Sequence, residues 1–153
     1  MKDTARLSPL GEEAKSWLVG QLQILRSYAI HFGINPSGQL LSNELDDLWA
    51  AWMEENLADL NSVDSFLNCF GIGFGQVLVD DCGFEWIYLE DEDGADIAVR
   101  ALPDVADVAD VRIAPLHFVL KRWQSKEGRF VVHSLSEIAK LLEDAASEQG
   151  IGR

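Results

Sequence analysis

The stretch Cys69-Phe70-Gly71-Ile72-Gly73-Phe74-Gly75-Gln76 lies in the middle of the chain and decides how its centre folds. Three glycines at alternate positions suggest a phosphate-binding loop. A dinucleotide fingerprint, however, needs the spacing G-x-G-x-x-G between a strand and a helix. Here Gln76 takes the place of the last glycine, and the apolar residues around the stretch recur with a helical period. The stretch therefore predicts a helix rather than a nucleotide site.

This glycine-bearing helix is expected to begin after an N-cap at Asn61 or Ser62. Gly71 and Gly75 are four residues apart, so they share one helical face. Each glycine costs roughly 1 kcal/mol of helix propensity relative to alanine. We expect this cost to be offset by close packing, because the missing side chains let another backbone come near.

The first 60 residues have the apolar spacing of amphipathic helices. One helix is predicted to follow Ser8-Pro9 and to be stopped by Gly33. A second is predicted to begin at an N-cap formed by Ser42 or Asn43. The chain thus starts with helices and continues into the glycine-bearing helix.

After Gly83 the apolar period changes to two, which indicates strands. Residues 84–89 and 96–101 predict a β-hairpin, and the turn between them contains Gly94, which suits a positive φ. Residues 104–110 repeat with a period of three and are interpreted as a loop. This loop leads into a short strand at residues 111–113.

The remaining residues predict mainly helix. Pro115 suits the first turn of a helix, residues 130–132 suit a last short strand, and Ser134 with Glu137 has the capping-box spacing that opens a final helix. Helices, then a small antiparallel sheet built on a β-hairpin, then helices make an α+β fold. The length fits a single domain over residues 1–153, with a helical N-terminal part (1–60) and a second part (61–150).

Several short motifs resemble the bacterial family of domains of unknown function named DUF3806, over about residues 60–128. They are Phe70–Gln76, Gly83–Trp86, Asp91–Gly94, Ala98–Arg100, Pro115–Leu116 and Lys121–Arg122. The family has no established activity, so the resemblance implies a fold and transfers no catalytic residue. It implies architectural roles for Trp86, Gly94, Pro115 and Arg122.

The chain carries a formal net charge of −14 over its 153 residues. Nucleic acids and anionic lipid surfaces are polyanions that need Lys and Arg, so neither is an expected partner. The charge suits a basic partner or high solubility alone. The N-terminal residues lack the pattern of a secretory signal, and the apolar run 69–79 is too short to span a membrane. A cytoplasmic location is therefore expected.

The residues that most often carry chemistry form no recognisable site. Cys69 and Cys82 would lie about 20 Å apart on one helix, so they are predicted to be free thiols. The histidines show no metal-ligand spacing, and hydrolase and nucleotide motifs are absent from the sequence. Ser134 beside His133 is better explained as a helix cap. We expect no catalytic residue, metal or cofactor.

The acidic tract is the clearest candidate site. Residues 80–110 hold eleven carboxylates and one base, Arg100, whereas residues 112–129 hold five bases and one carboxylate, Glu127. A charged hairpin tip is well placed to bind a partner. The predicted protein-binding residues are Glu90, Asp91, Glu92, Asp93, Asp96, Asp104, Asp107 and Asp110. A solvated surface and a divalent-cation site are the alternatives.

The expected function is that of a small acidic bacterial binding protein without catalytic activity, either monomeric or homodimeric. It would dock on a basic protein and neutralise it, as an immunity protein inhibits a toxin. The alternatives are an escort similar to secretion chaperones, a cation- or metabolite-binding protein, and a hydrolytic enzyme that uses the acidic hairpin.

Overall fold

The structure, a computed structural model, describes residues 6–56, 63–92, 94–101 and 111–151, with only the backbone described for residues 56, 91 and 145–151. These described residues form five helices and four strands, which confirms the predicted α+β class. In chain order the elements are β1 (Arg6–Ser8), α1 (Glu12–His31), α2 (Ser42–Asn56), α3 (Val63–Cys82), β2 (Phe84–Asp91), β3 (Gly94–Ala101), β4 (Arg112–Ile113), α4 (Pro115–Gln124) and α5 (Val131–Ile151).

The sheet is antiparallel throughout, and its strand order is β1-β2-β3-β4. The predicted hairpin is confirmed, and its register runs from Phe84 opposite Ala101 to Asp91 opposite Gly94. Gly94 has a φ of 136°, which only glycine adopts easily. The sequence did not predict β1, which adds Arg6 and its neighbours to the free edge of β2.

Helix α3 lies at the centre of the fold, because α1, α2, α4, α5 and the hairpin strands all pack against it. Twelve of its residues are buried. Aromatic side chains fill the space between α2 and α3. Trp52 stacks on Phe66 with 4.1 Å between ring centroids, and Trp49 lies 5.0 Å from Phe70. The apolar side of the amphipathic helix α2 therefore packs in the core.

The predicted close approach at the glycines of α3 is confirmed. A Cβ atom added to Gly71 would lie 3.1 Å from the Cα of Leu116 on α4. One added to Gly75 would lie 2.9 Å from Cγ of Pro115 and 3.1 Å from Cζ2 of Trp86. Helix α4 and the hairpin therefore pack directly on the bare face of α3.

The start of α5 corrects two predictions. The strand predicted at residues 130–132 and the N-cap predicted at Ser134 are wrong, because α5 begins at Val131. Its first turn is capped from α2: Asp46 accepts the N–H groups of Val131 (2.7 Å) and Val132 (3.0 Å). Ser134 is buried inside that turn, and its N–H donates to the carbonyl of Phe130.

The predicted cap of α2 is also wrong, since Ser42 and Asn43 lie inside the helix. Leu41 precedes it, and its N–H donates to Oε1 of Glu44 at 2.8 Å. The predicted caps of α3 at Asn61 and Ser62 lie outside the described residues, as does the predicted loop at residues 104–110. Helix α1 ends before Gly33 as predicted.

The two cysteines lie on α3 as free thiols, as predicted. Cys69 is fully buried, and its Sγ lies 3.3 Å from the carbonyl of Phe66. Burial raises the pKa of Cys69 from 9.0 to about 12. Burial, and secondarily the charge of Asp81, raises the pKa of Cys82 as well. Neither thiol is therefore disposed to act as a thiolate nucleophile near neutral pH.

Replacing Gly75 by alanine is expected to destabilise the fold. The new methyl group would collide with the rigid rings of Pro115 and Trp86, and such overpacking costs about 1–3 kcal/mol, which outweighs the roughly 1 kcal/mol gained in helix propensity. Urea denaturation should show a lower free energy of unfolding. Gly20→Ala on α1 is the matched control, since nothing lies within 4 Å of its added Cβ. A stabilised Gly75→Ala variant would contradict the packing argument.

Replacing Asp46 by alanine is expected to lower the free energy of unfolding by about 1–3 kcal/mol, because two N–H groups at the start of α5 lose their acceptor. The control is Asp47→Ala, which removes only an exposed ion pair with Arg129 and should be milder because solvent screens such pairs. Equal losses in the two variants would show that Asp46 does not hold α5 in place.

Stability should fall as the pH rises above about 9. The unfolded chain ionises the Cys69 thiol near its ordinary pKa of 9.0, whereas the folded chain keeps the proton up to about 12. The contribution is fully present below pH 9 and declines above it by at most about 1.4 kcal/mol per pH unit. Urea denaturation between pH 8 and 10.5 should show a shallower decline for Cys69→Ala than for the wild type. Identical slopes would contradict the raised pKa.

Candidate protein-binding surface

The structure describes the side chains of three of the eight predicted binding residues: Glu90, Glu92 and Asp96. Of Asp91 only the backbone is described, at the end of β2. The others lie outside the described residues; they are Asp93, Asp104, Asp107 and Asp110. The structure therefore describes the predicted surface at the hairpin turn, through Glu92, and on the two strands, through Glu90 and Asp96.

Glu90 lies on β2, in the part of the strand that pairs with β1. The register places Arg6 opposite Glu90, and the two side chains form an ion pair with 3.4 Å between Nη2 and Oε1. Both side chains are substantially exposed, so solvent screens the pair and its contribution to stability is small. Glu90 can therefore exchange Arg6 for another cation at little cost.

Asp96 occupies a different surface. It is half-buried on β3, and its Oδ1 accepts the N–H of Ile97 at 2.8 Å. It lines a cleft of about 230 Å³ with Asp64 of α3 and His117 of α4. The register places Asp96 opposite Leu89, next to Glu90 across the hairpin, but the two carboxylates have different surroundings, because Glu90 pairs with Arg6 of β1 and Asp96 lines the cleft beside α4.

Glu92 lies in the turn between the strands and is exposed. The other carboxylate near the base of the hairpin, Glu85, forms a cross-strand ion pair with Arg100 at 2.9 Å. That pair lies between directly opposed residues of β2 and β3, so it stabilises the hairpin. Of these carboxylates, Glu92 is the one with the freest access to a partner.

Two exposed carboxylates outside the predicted set lie at the end of α3. Asp80 and Asp81 occupy its last turn, which contains no basic residue. The negative end of the helix dipole disfavours anions there. Asp80 accepts a hydrogen bond from Gln76 at 3.0 Å. Sequence reasoning placed both residues in the acidic tract but did not single them out, although their position just before Gly83 predicts a helix C-terminus.

The carboxylates thus form two groups. Asp80 and Asp81 lie beside the start of β2, whereas Glu90 and Glu92 lie at its other end. Strand β2 has eight residues, so the groups are about 25 Å apart along the strand. This spacing matches the width of a standard protein–protein interface, in which each partner buries about 800 Å².

The four residues expected to be architectural have structural contacts. The indole N–H of Trp86 donates to Gln76 at 3.1 Å, and Pro115 occupies the first position of α4 against Gly75. Gly94 supplies the positive φ of the hairpin. The guanidinium of Arg122 lies over the ring of Phe118, 3.7 Å from its centroid.

The remaining candidates for chemistry are dispersed. His133 is exposed and pairs with Glu137, with 3.3 Å between Nε2 and Oε2, while Ser134 is buried in the first turn of α5. Within the described ranges, no group of three or more His, Cys, Asp or Glu residues could hold a metal ion. In the same ranges, every helix is too short or too polar to cross a membrane.

The fold is similar to that of a solved chain from Bacteroides thetaiotaomicron VPI-5482, with a TM-score of 0.63 and 12% sequence identity. The match covers 97% of this chain and 49% of that chain, so the protein spans about half the length of its structural neighbour. At this identity the likeness shows the fold alone. Among curated proteins, none matches the sequence.

A family model described as "Domain of unknown function (DUF3806)" matches residues 44–132. This range begins two residues inside α2, contains α3, the hairpin, β4 and α4, and ends at the start of α5. It extends further toward the N-terminus than the motifs alone predicted, and it takes in the aromatic face of α2. Because the match covers more than half of the chain, the protein belongs to the DUF3806 family.

Proposed function

We propose that the protein is a non-catalytic binding protein that docks on a basic protein through its two groups of exposed carboxylates and neutralises it. The observation that carries this proposal is the pair Asp80 and Asp81 at the C-terminal end of α3. Both are exposed, and the helix dipole makes their position unfavourable for stability. Asp80 accepts an exposed hydrogen bond from Gln76, so both carboxylates remain accessible to a basic partner.

The hairpin tip supports the same proposal from the other end of β2. Glu92 is exposed, and Glu90 has only a screened ion pair with Arg6 to give up. A basic partner would thus gain four carboxylates without breaking a buried contact. The net charge of −14 would also steer such a partner toward the protein before contact.

Neutralisation is the form of binding that suits this charge pattern best. Carboxylates near both ends of β2 would imitate the spaced phosphates that a basic protein, such as a nucleic-acid-cleaving toxin, would otherwise bind. This is the mode of an immunity protein, and it needs no catalytic residue on the acidic partner. An escort similar to a secretion chaperone would bind the same cations but would hold its partner unfolded.

Charge reversal tests the surface directly. The variant carries Asp80→Lys, Asp81→Lys and Glu92→Lys, and the control carries Glu143→Lys and Asp144→Lys on the exposed side of α5. The basic partner is first captured from the native cell extract at low salt and released with a salt gradient. Association rates of the purified partner with the wild type and both variants are then measured across a range of salt concentrations.

We expect the triple variant to associate at least tenfold more slowly at low salt and with a weaker salt dependence, because the reversals take the net charge from −14 to −8 and replace the contacting carboxylates by cations. The α5 control should change the rate less. Capture of no basic protein, or equal rates in the triple variant and the wild type, would contradict the proposal. A melting temperature raised by divalent cations would instead favour the cation-binding alternative at the cleft of Asp64 and Asp96.

A further inference from the structure

A basic groove adjoins the cleft of Asp64 and Asp96, since His117 lines both. It has a volume of about 490 Å³ and is formed between β4 and α4. Its charged side chains are Arg112, Lys121 and Arg122, and His117 and Phe118 also line it. Among the described residues that line it there is no carboxylate. Lys121 and Arg122, two of the chain's twelve Lys and Arg residues, thus meet in one groove of a protein with 26 acidic residues.

The guanidinium of Arg122 is held in place by aromatic stacking. It lies 3.7 Å from the centroid of Phe118, and Phe118 in turn stacks on Phe74 of α3, with 4.7 Å between centroids and 16° between planes. Phe74 is fully buried. The planar groups therefore form a column from the core to the groove, which fixes the orientation of the guanidinium before any ligand arrives.

One donor of this guanidinium is left without an acceptor. The Nε atom of Arg122 is inaccessible to solvent and has no hydrogen-bond partner within the described part of the chain. The nearest carboxylate oxygen, Oε2 of Glu127, is 4.0 Å away, which is too far for a hydrogen bond. An unsatisfied buried donor is costly, so Arg122 is held by stacking and not by a hydrogen bond to a carboxylate among the described residues, and the outer N–H groups of its guanidinium are left for an anion in the groove.

Lys121 adds a second charge to the same groove. Its side chain is exposed, and its ammonium group forms no ion pair within the described ranges. The position of both residues in the last turn of α4 favours cations through the helix dipole. The dipole explains why Lys121 and Arg122 are tolerated there, but it does not explain the stacked guanidinium or its unsatisfied Nε donor.

We propose that this groove binds a small oxyanion of the phosphoryl class, with the phosphoryl oxygens held by the Arg122 fork and the Lys121 ammonium. Arginine matches two oxygens of one phosphoryl group at once, and lysine adds a point charge. The volume lies within the range of small-ligand sites. A long polyanion is disfavoured. Its segments more than about one Debye length from the groove gain little from the cations there, and they are repelled by the protein, whose net charge is −14.

This inference is independent of the proposed function, since it uses neither group of exposed carboxylates. The test is a titration of the ¹⁵N-labelled full-length protein with inorganic pyrophosphate at constant ionic strength, followed through the backbone amide signals. The variants are Lys121→Gln and Arg122→Lys, and Lys140→Gln on the exposed side of α5 is the control. Lys121 is exposed, so its replacement should leave the fold intact.

We expect saturable shifts that are centred on residues 112–122 in the wild type and in the control. Lys121→Gln should weaken the affinity about tenfold, which corresponds to one charge-assisted hydrogen bond. Arg122→Lys should weaken it similarly although the charge is kept, because the planar fork is lost. Shifts that do not saturate, that spread over the surface, or that are equal in Lys121→Gln would overturn the proposal. Tighter binding of a short RNA or an anionic vesicle at physiological salt would also overturn it.

Discussion

The close contact of α4 with α3 is the interaction on which the rest of the structure depends. Leu116 and Pro115 lie where the side chains of residues 71 and 75 would be if those residues were not glycine. The ring of Trp86 also packs against Gly75, so the hairpin contacts α3 at the same place because residue 75 has no side chain. Each of these glycines lowers the helix propensity of α3. In return, α4 and β2 can pack directly against the backbone of α3.

A second constraint joins elements that are far apart in sequence. Asp46 of α2 caps the first turn of α5, and Trp49 on the same helix donates its indole N–H to the carbonyl of Glu127 at 2.9 Å. Phe130 then packs edge-on against Trp49, with 5.0 Å between centroids. The turn between α4 and α5 is thus held by α2, and the position of α4 relative to the core is fixed at both of its ends.

These two constraints position the charged side chains of the hairpin and of α4. The glycine contact brings α4 beside α3, so Phe118 stacks on Phe74 and carries Arg122 with it. The hairpin, docked through Trp86, leaves Glu92 at its free end and Asp80 and Asp81 at its base. The exposed carboxylates thus lie at the two ends of β2 and the cations of the groove lie on α4. The proposed partner of the former is a basic protein, and the proposed ligand of the latter is a small anion.

The sequence by itself determined the elements whose signals are local. The helix through Gly71 and Gly75, the hairpin with Gly94 and the helix opened by Pro115 were predictable, because period, turn chemistry and a fixed proline φ each act within a few residues. The acidic character of the hairpin was equally readable, since charge is a property of composition.

Only the tertiary structure decided the features that need a distant partner. Residues 130–132 have the composition of a strand but begin a helix, because the carboxylate of Asp46, 85 residues away from Val131, satisfies its first N–H groups. Strand β1 forms because β2 offers a free edge, and it pairs Arg6 with Glu90. Asp96 is turned into a cleft beside α4, and Arg122 is fixed by a ring column that starts on α3. Local energies set which segments are helix or strand, whereas long-range packing and hydrogen bonds set which side chains meet.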